Sequence, residues 1–414
     1  MRSLAFPLLL LAACTGGAAA DGRAGETGGA ASPSTPTDRA PFRVEEMGSF
    51  DSPWSMAFLP GEMAALVTEK GGRLQLWRRG AANSAVAGVP SVATGGQGGL
   101  LDVALSPHFA ADGLVYLTYS EPNPSGGSGL AVARGRLVRD GAGARLDGVQ
   151  VLWRDPAGGR GGQFGAIVAF APDGGSLYLS SGERQRFTPA QDPSQPLGKI
   201  LHLTLDGKPA PGNPWAGKTG AASVTVSDPP EDTEAAKNAP GRTIQWPGPN
   251  LTPAETWSTG HRNPYGLAFA PDGRLWETEM GPRGGDELNL ILPGRNYGWP
   301  VVSNGDNYNG TPIPDHPTRP EFEAPKLWWN PSISPSSLVF YTGSLFPQWK
   351  GSAFIGALSG EALIRVAIQG DRATKAEQFD MGTRIRFVAQ GPDGALWLLE
   401  DSSPGRLLRL APKP

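Results

Sequence analysis

Two stretches of this 414-residue chain concentrate side chains able to do chemistry. Gly260 to Pro300, GHRNPYGLAFAPDGRLWETEMGPRGGDELNLILPGRNYGWP, opens with a cation beside an amide, Arg262 and Asn263. It runs through a Pro-Asp-Gly turn into a strand and ends in a Gly/Pro-rich turn bearing Asp286 and Glu287. Glu279, Asp286 and Glu287 lie close in sequence, an acidic group able to neutralise a hard cation. An ordinary acidic loop is the alternative. In the second stretch, Arg384 and Arg386 alternate on a predicted strand, so both guanidinium groups share one face, where they can grip carboxylates. A solvent-exposed strand is the alternative there. Imidazole bases are few: His108, His202, His261 and His316. His108 falls in a turn (SPHF) and His202 in a strand (KILHLTL), both structural settings, and His316 lies in an irregular Pro-rich loop.

The elements that must position these residues are strands. Gly 58 and Pro 41 make about a quarter of the chain, and they recur between apolar runs as turn punctuation. FAPDGGSLYLSSGE (170–183), FAPDGRLWETEM (269–280) and QGPDGALWLLED (390–401) share one plan: a Pro-Asp-Gly turn, an apolar strand, then an acidic residue. Weaker copies are MAFLPGEMAALVTEK (56–70) and LSPHFAADGLVYLTY (105–119). Asp-Gly supplies the positive φ a hairpin needs, and the following strand alternates to bury one face. Five echoes without a sizeable amphipathic helix predict an all-β fold of radial sheets, a β-propeller, with functional residues scattered in loops just outside the strands. A pair of β-sandwiches is the alternative. Residues 208–252 interrupt the echo as an insertion, either a lid or only a mobile loop.

The net charge is −3, and no Lys/Arg run tracks a phosphate backbone, which argues against nucleic acid as a partner. The only cysteine is Cys14, so neither an intramolecular disulfide nor a cysteine zinc site can form. Residues 1–14 read as an export signal: Arg2, an apolar run from Leu4 to Ala13, and a lipoprotein-type box, Leu11-Ala12-Ala13-Cys14. Residues 15–40 read as a flexible tether and 41–414 as the folded unit. The expectation is a chain exported and lipid-anchored through Cys14 to a bacterial cell envelope, with no other membrane contact. A Cys14→Ser chain is then expected to leave the membrane fraction; continued membrane partitioning would refute lipidation.

PWSMAFLP, GGQGGLLDVALSPHF, FAPDGGSLYLSSGE, GHRNPYGLAF, GPRGGDELNLILPGRNYGWP, SPSSLVFYTG and RIRFVAQGPDGALWLLED, in that order, resemble the soluble PQQ-dependent sugar dehydrogenases, the glucose/sorbosone or aldose sugar dehydrogenase family. The resemblance covers about Pro41 to Leu410. It implies a six-bladed β-propeller that binds pyrroloquinoline quinone (PQQ) and Ca²⁺ and oxidises aldoses to lactones, passing electrons to an unknown acceptor. It further implies cofactor contacts from Gln97, Arg262, Asn263, Arg384 and Arg386, and backbone carbonyls of Gly281 and Pro282 for the calcium ion.

Two family positions differ. The family base is a histidine in a His-x-Gly-Gly loop; here GGQFGAIVAFAPDGG puts Gln163 in that place and Ala166 at the second glycine. An amide can orient a hydroxyl but not take its proton near neutral pH. His261, Asp286 and Glu183 are the replacement bases to consider. A lysine that the family often places near the cofactor is also missing: FIGALSGEALIRV has Ser359 there, and no lysine lies between Lys350 and Lys375. A smaller departure is Phe387, where an acidic residue is common. The functional expectation is a PQQ- and calcium-dependent aldose dehydrogenase, with Gln163 and Arg262 at the reacting end. The alternatives are a non-catalytic propeller module for sugar or envelope ligands and, more remotely, a propeller lactonase or other metal hydrolase.

Overall fold

The computed structural model describes residues 33–123, 126–141, 143–159, 161–227 and 239–413. Cys14 and the export signal lie outside the described residues. Each strong Pro-Asp-Gly echo joins a first strand to a second, and its glycine has positive φ: 72° at Gly174, 83° at Gly273 and 75° at Gly394. These are the left-handed conformations that glycine adopts without a Cβ clash. The echo thus marks the same hairpin in successive repeats of one supersecondary unit.

Among the described residues, apart from one hairpin and the short strand Ser34–Pro36, the strands form six four-stranded antiparallel units. Units 1 and 2 merge into one eight-stranded sheet through a short parallel pairing of Val86 and Ala87 with Ala144 and Arg145. The first strands are Pro53–Phe58, Leu100–Leu105, Gly165–Phe170, Pro264–Phe269, Pro335–Phe340 and Ile385–Gln390. They touch one another in that cyclic order, the sixth returning to the first. Strand Phe42–Phe50 pairs antiparallel with Gly405–Pro412 and completes the sixth unit from the other end of the chain. The described helices are short, such as Phe109–Asp112 and Thr252–Glu255 at four residues each.

Apolar side chains fill the wedges between units, for example Trp276, Leu288, Ile355 and Ile364 between units 4 and 5. Buried hydroxyls then fix the ring. Thr68 donates to Leu101 O (2.6 Å), Thr118 to Ala166 O (2.7 Å) and Ser180 to Pro264 O (2.9 Å), each from a second strand to the next unit's first strand. A buried hydroxyl left unpaired costs about 1–3 kcal/mol, so these bonds set the register between units and with it the loops ahead of each first strand.

Two segments depart from expectation. Ser34–Pro36, inside the expected tether, pairs in parallel with Gln378–Asp380 of unit 5, and Ala40 is buried. Contact with the sheets therefore begins before Pro41. The 208–252 insertion carries its own hairpin, Ser223–Ser227 with Gly241–Gln245, whose Val224 and Val226 pack on Ala157 and Leu197.

Candidate functional site

The six loops that lead into the first strands converge at one end of the ring. Ser52, Gln97, Gln163, Asn263, Ser334 and Arg384 each stand one to three residues ahead of such a strand. They line two adjoining cavities that share Gln97, Met280 and Ser334. One, of about 380 Å³, is walled by Trp54, Tyr265, Leu358, Lys70, Arg384, Arg386 and Asp401. The other, of about 690 Å³, holds Gln163, Arg262, Asn263, Gly281, Pro282, Asp286, Tyr308 and Ser359. Gln97, Gln163, Arg262, Asn263, Gly281, Pro282, Asp286, Arg384 and Arg386 therefore line the same cleft, whereas Glu183, His261, Glu279 and Glu287 do not.

Arg384 and Arg386 do share a face, and one carboxylate sits between them. Arg384 Nε donates to Asp401 Oδ2 at 2.8 Å, and Arg386 Nε and Nη2 donate to Oδ1 at 2.9 and 2.7 Å. Burial works to raise the Asp401 carboxyl, but Arg386 and Arg384 outweigh it and hold it below the usual carboxylate range. The sequence reading missed this ion and also Lys70, which enters from unit 1.

The Gln163 loop is tightly held. Gln163 N donates to Gln97 Oε1 (2.7 Å), which also accepts from Tyr265 OH (3.0 Å), and Gln163 Oε1 accepts from Gln185 N (3.2 Å). With its oxygen committed to a backbone N–H, Gln163 presents its NH₂ to a ligand, so this side chain is a donor. A Cβ at Gly182 would lie 2.1 Å from Gln163 O, which is why that position carries glycine. Five non-glycine residues here have positive φ: Gln163, Ala166, Arg184, Gln185 and Phe187. Strain of this kind persists where the surroundings over-determine the backbone, as they do at binding sites.

None of the replacement bases is well placed. His261 is buried, bonded to Ser258 Oγ (2.8 Å) and Glu279 Oε1 (3.1 Å), and lines neither cavity. Glu183 is fully buried, and burial pushes its carboxyl up to about 7. It too lies off both cavities. Asp286 does line the larger cavity, and burial pushes its carboxyl up to about 6. Its oxygens, however, already accept from Gly281 N (2.9 Å), Ile333 N and Ser334 N (2.7 Å each). Asp286 braces three loop positions, and little lone-pair capacity is left for a substrate proton.

Arg262 is anchored by carbonyls of the loop expected to hold the metal: Nη1 donates to Gly281 O (2.7 Å) and Met280 O (3.0 Å). The Gly281 carbonyl thus accepts from a guanidinium with one of its two lone pairs. Arg262 also packs over Trp299 and Tyr308, and its buried Nε has no partner. Behind the loop lies a second group. Glu277 and Glu279 alternate on one strand and pair in register with Asn289 and Glu287 on the next. The Asn289 amide donates to Glu277, Glu279 and Glu287 at 3.1–3.3 Å. Ligand atoms of His261, Glu277 and Glu279 lie within 4.8 Å of one another, all buried. Burial first and the Glu279 charge second push the Glu277 carboxyl well up, and a divalent cation would relieve that repulsion. The i, i+2 alternation in WETE and DELNL was the available sequence signal for this cluster.

Comparisons with known proteins agree with one another. The family model described as Glucose / Sorbosone dehydrogenase matches residues 50–227 and 246–409. The chain is 38% identical over 373 residues to the aldose sugar dehydrogenase YliI of Escherichia coli (strain K12), spanning 88% of this chain and 91% of the relative. The solved apo-form of the soluble aldose sugar dehydrogenase (Asd) from Escherichia coli superposes with a TM-score of 0.77 at 36% identity, covering 90% of this chain and 100% of that one. The PQQ-bound aldose sugar dehydrogenase (Adh) from Streptomyces coelicolor gives a TM-score of 0.65 at 28% identity, covering 90% and 98%.

Proposed function

The chain belongs to the glucose/sorbosone dehydrogenase family, and from that premise we propose that it is a six-bladed propeller that binds PQQ in its cation-lined cleft and oxidises aldoses slowly. The observation that carries this reading is the cleft itself. A planar ligand with three carboxylates and an ortho-quinone calls for guanidinium and ammonium groups on one wall and neutral donors on another. Arg384, Arg386 and Lys70 form the first, and Gln97, Gln163 and Asn263 the second, with Arg262 beside them.

When bound, PQQ supplies a two-electron acceptor for the anomeric C–H of the sugar. The residues of this chain do the rest. Arg384 and Arg386 hold carboxylates, trading part of their bond to Asp401. Arg262, fixed by Met280 O and Gly281 O, sets a guanidinium charge at the wall of the larger cavity. Gln163 donates to a substrate oxygen and orients the sugar. It cannot take the hydroxyl proton, which passes to solvent, so turnover is slow and rises with pH. Ca²⁺ is the proposed metal; the carbonyls of Gly281 and Pro282, which line the larger cavity, would hold it, and the nearby Glu279, Asp286 and Glu287 would offset its charge. The electron acceptor is an external molecule.

The donor character of Gln163 favours one second reading, a module that binds PQQ or a sugar without turnover. Reconstitution with PQQ and Ca²⁺ followed by dye-linked oxidation of aldoses separates the two. Slow, saturable reduction lost in EDTA is expected; stoichiometric binding with no reduction would leave the module.

A further inference from the structure

Lys70 follows the second strand of unit 1, Ala64–Glu69, and lines the smaller cavity beside Arg384, Arg386 and Asp401. Its backbone is pinned at both ends. Its N–H donates to Ser52 O (2.9 Å), and its carbonyl accepts from Leu100 N (3.3 Å). Gly99 packs so closely that a Cβ there would lie 2.2 Å from Lys70 O. The ammonium donates to Gly96 O (2.8 Å), which leaves two of its three N–H groups for a ligand. Among the described residues, Asp401 is the one carboxylate lining this cavity, and both arginines already bind it. The cavity therefore carries three cations against one anion. Burial and the neighbouring Arg386 charge hold Lys70 below the usual lysine range, a strain that an added anion relieves.

The hydroxyls of unit 5 are neutral and already paired. Ser359, at the position where the family often has lysine, shares a hydrogen bond with Ser334 Oγ (2.8 Å) and donates to Ser332 O (3.2 Å). Unit 5 thus offers hydroxyls already engaged, while units 6 and 1 offer the positive charge.

Resting on the PQQ reading above, we propose that Lys70 is a carboxylate-binding residue of this cleft, supplying from unit 1 the cation that unit 5 lacks. A cofactor's acidic edge then faces units 6 and 1. The test is a PQQ titration in the presence of Ca²⁺, followed by quenching of tryptophan fluorescence, Trp54 being in the cavity wall. Wild type, Lys70→Met, Lys70→Gln and Lys70→Arg are compared at low and high salt, with benzene-1,3,5-tricarboxylate as a competitor. Loss of a charged hydrogen bond is expected to raise Kd about tenfold in the Met and Gln variants. The Arg variant should stay close to wild type. The competitor should displace PQQ from wild type at lower concentration than from Lys70→Met, with the difference shrinking in salt. Kd values for Lys70→Met and Lys70→Gln equal to wild type would overturn the role of Lys70 and leave the PQQ reading intact. Absence of PQQ binding by wild type itself would overturn both.

Discussion

Gln163→His is expected to raise kcat for aldose oxidation about a hundredfold, with little change in KM. A positioned base contributes about 10²- to 10⁴-fold. The lower end applies here, because Ala166 and Gln185 have settled around an amide rather than an imidazole. The substitution acts on proton removal alone. It should therefore appear in kcat and kcat/KM together, the pattern of an interaction made only in the transition state. The pH profile is a second readout. Wild-type rates should climb steadily with pH, whereas the histidine variant should reach a plateau once its imidazole is neutral. Unchanged rates and an unchanged profile would show that Gln163 does not stand where the proton leaves.

The second large effect concerns the clamp. Arg386→Leu is expected to weaken PQQ binding about tenfold to a hundredfold, since losing hydrogen bonds to a charged group at this part-buried pair costs about 1.5–3 kcal/mol. Two causes add: a cation for the cofactor is lost, and Asp401 is left facing its carboxylates with one arginine fewer. Arg384 is 44% exposed against 14% for Arg386, so Arg384→Leu should cost clearly less. The double variant Arg386→Leu/Asp401→Asn should recover part of the affinity, because it removes the orphaned anion. Equal Kd values for wild type and Arg386→Leu, both folded by circular dichroism, would place the acidic edge of the ligand elsewhere.

Much of the fold was legible because its signals are local. Asp-Gly at 173–174, 272–273 and 393–394 marks the hairpins by the φ that only glycine takes cheaply, and alternating strands follow. Gln97, Gln163 and Asn263 could be found through the family resemblance of their motifs, and Arg384 through its alternation with Arg386; the structure sets each of the four just ahead of a first strand or at its edge. Lys70 and Asp401 could not. They belong to the first and last units and meet only because Phe42–Phe50 closes the ring onto Gly405–Pro412. Ser34–Pro36 escaped notice for another reason. Its pairing to unit 5 uses backbone groups, which leave no side-chain pattern in the sequence. The buried Glu277–Glu279–Glu287 group was visible as alternation, but its burial was not, since acidic strands usually face water. The Arg262–Gly281 bond is tertiary and has no sequence signature.

The most direct measurement is an equilibrium titration of the purified protein with PQQ and Ca²⁺, read by the absorbance of the bound quinone. Saturation at one PQQ per chain is expected, weakened by EDTA and by Arg386→Leu, with aldose-dependent dye reduction that is slow in wild type and fast in Gln163→His. No saturable binding, or binding indifferent to Arg386, would contradict the assignment of the cleft to this cofactor.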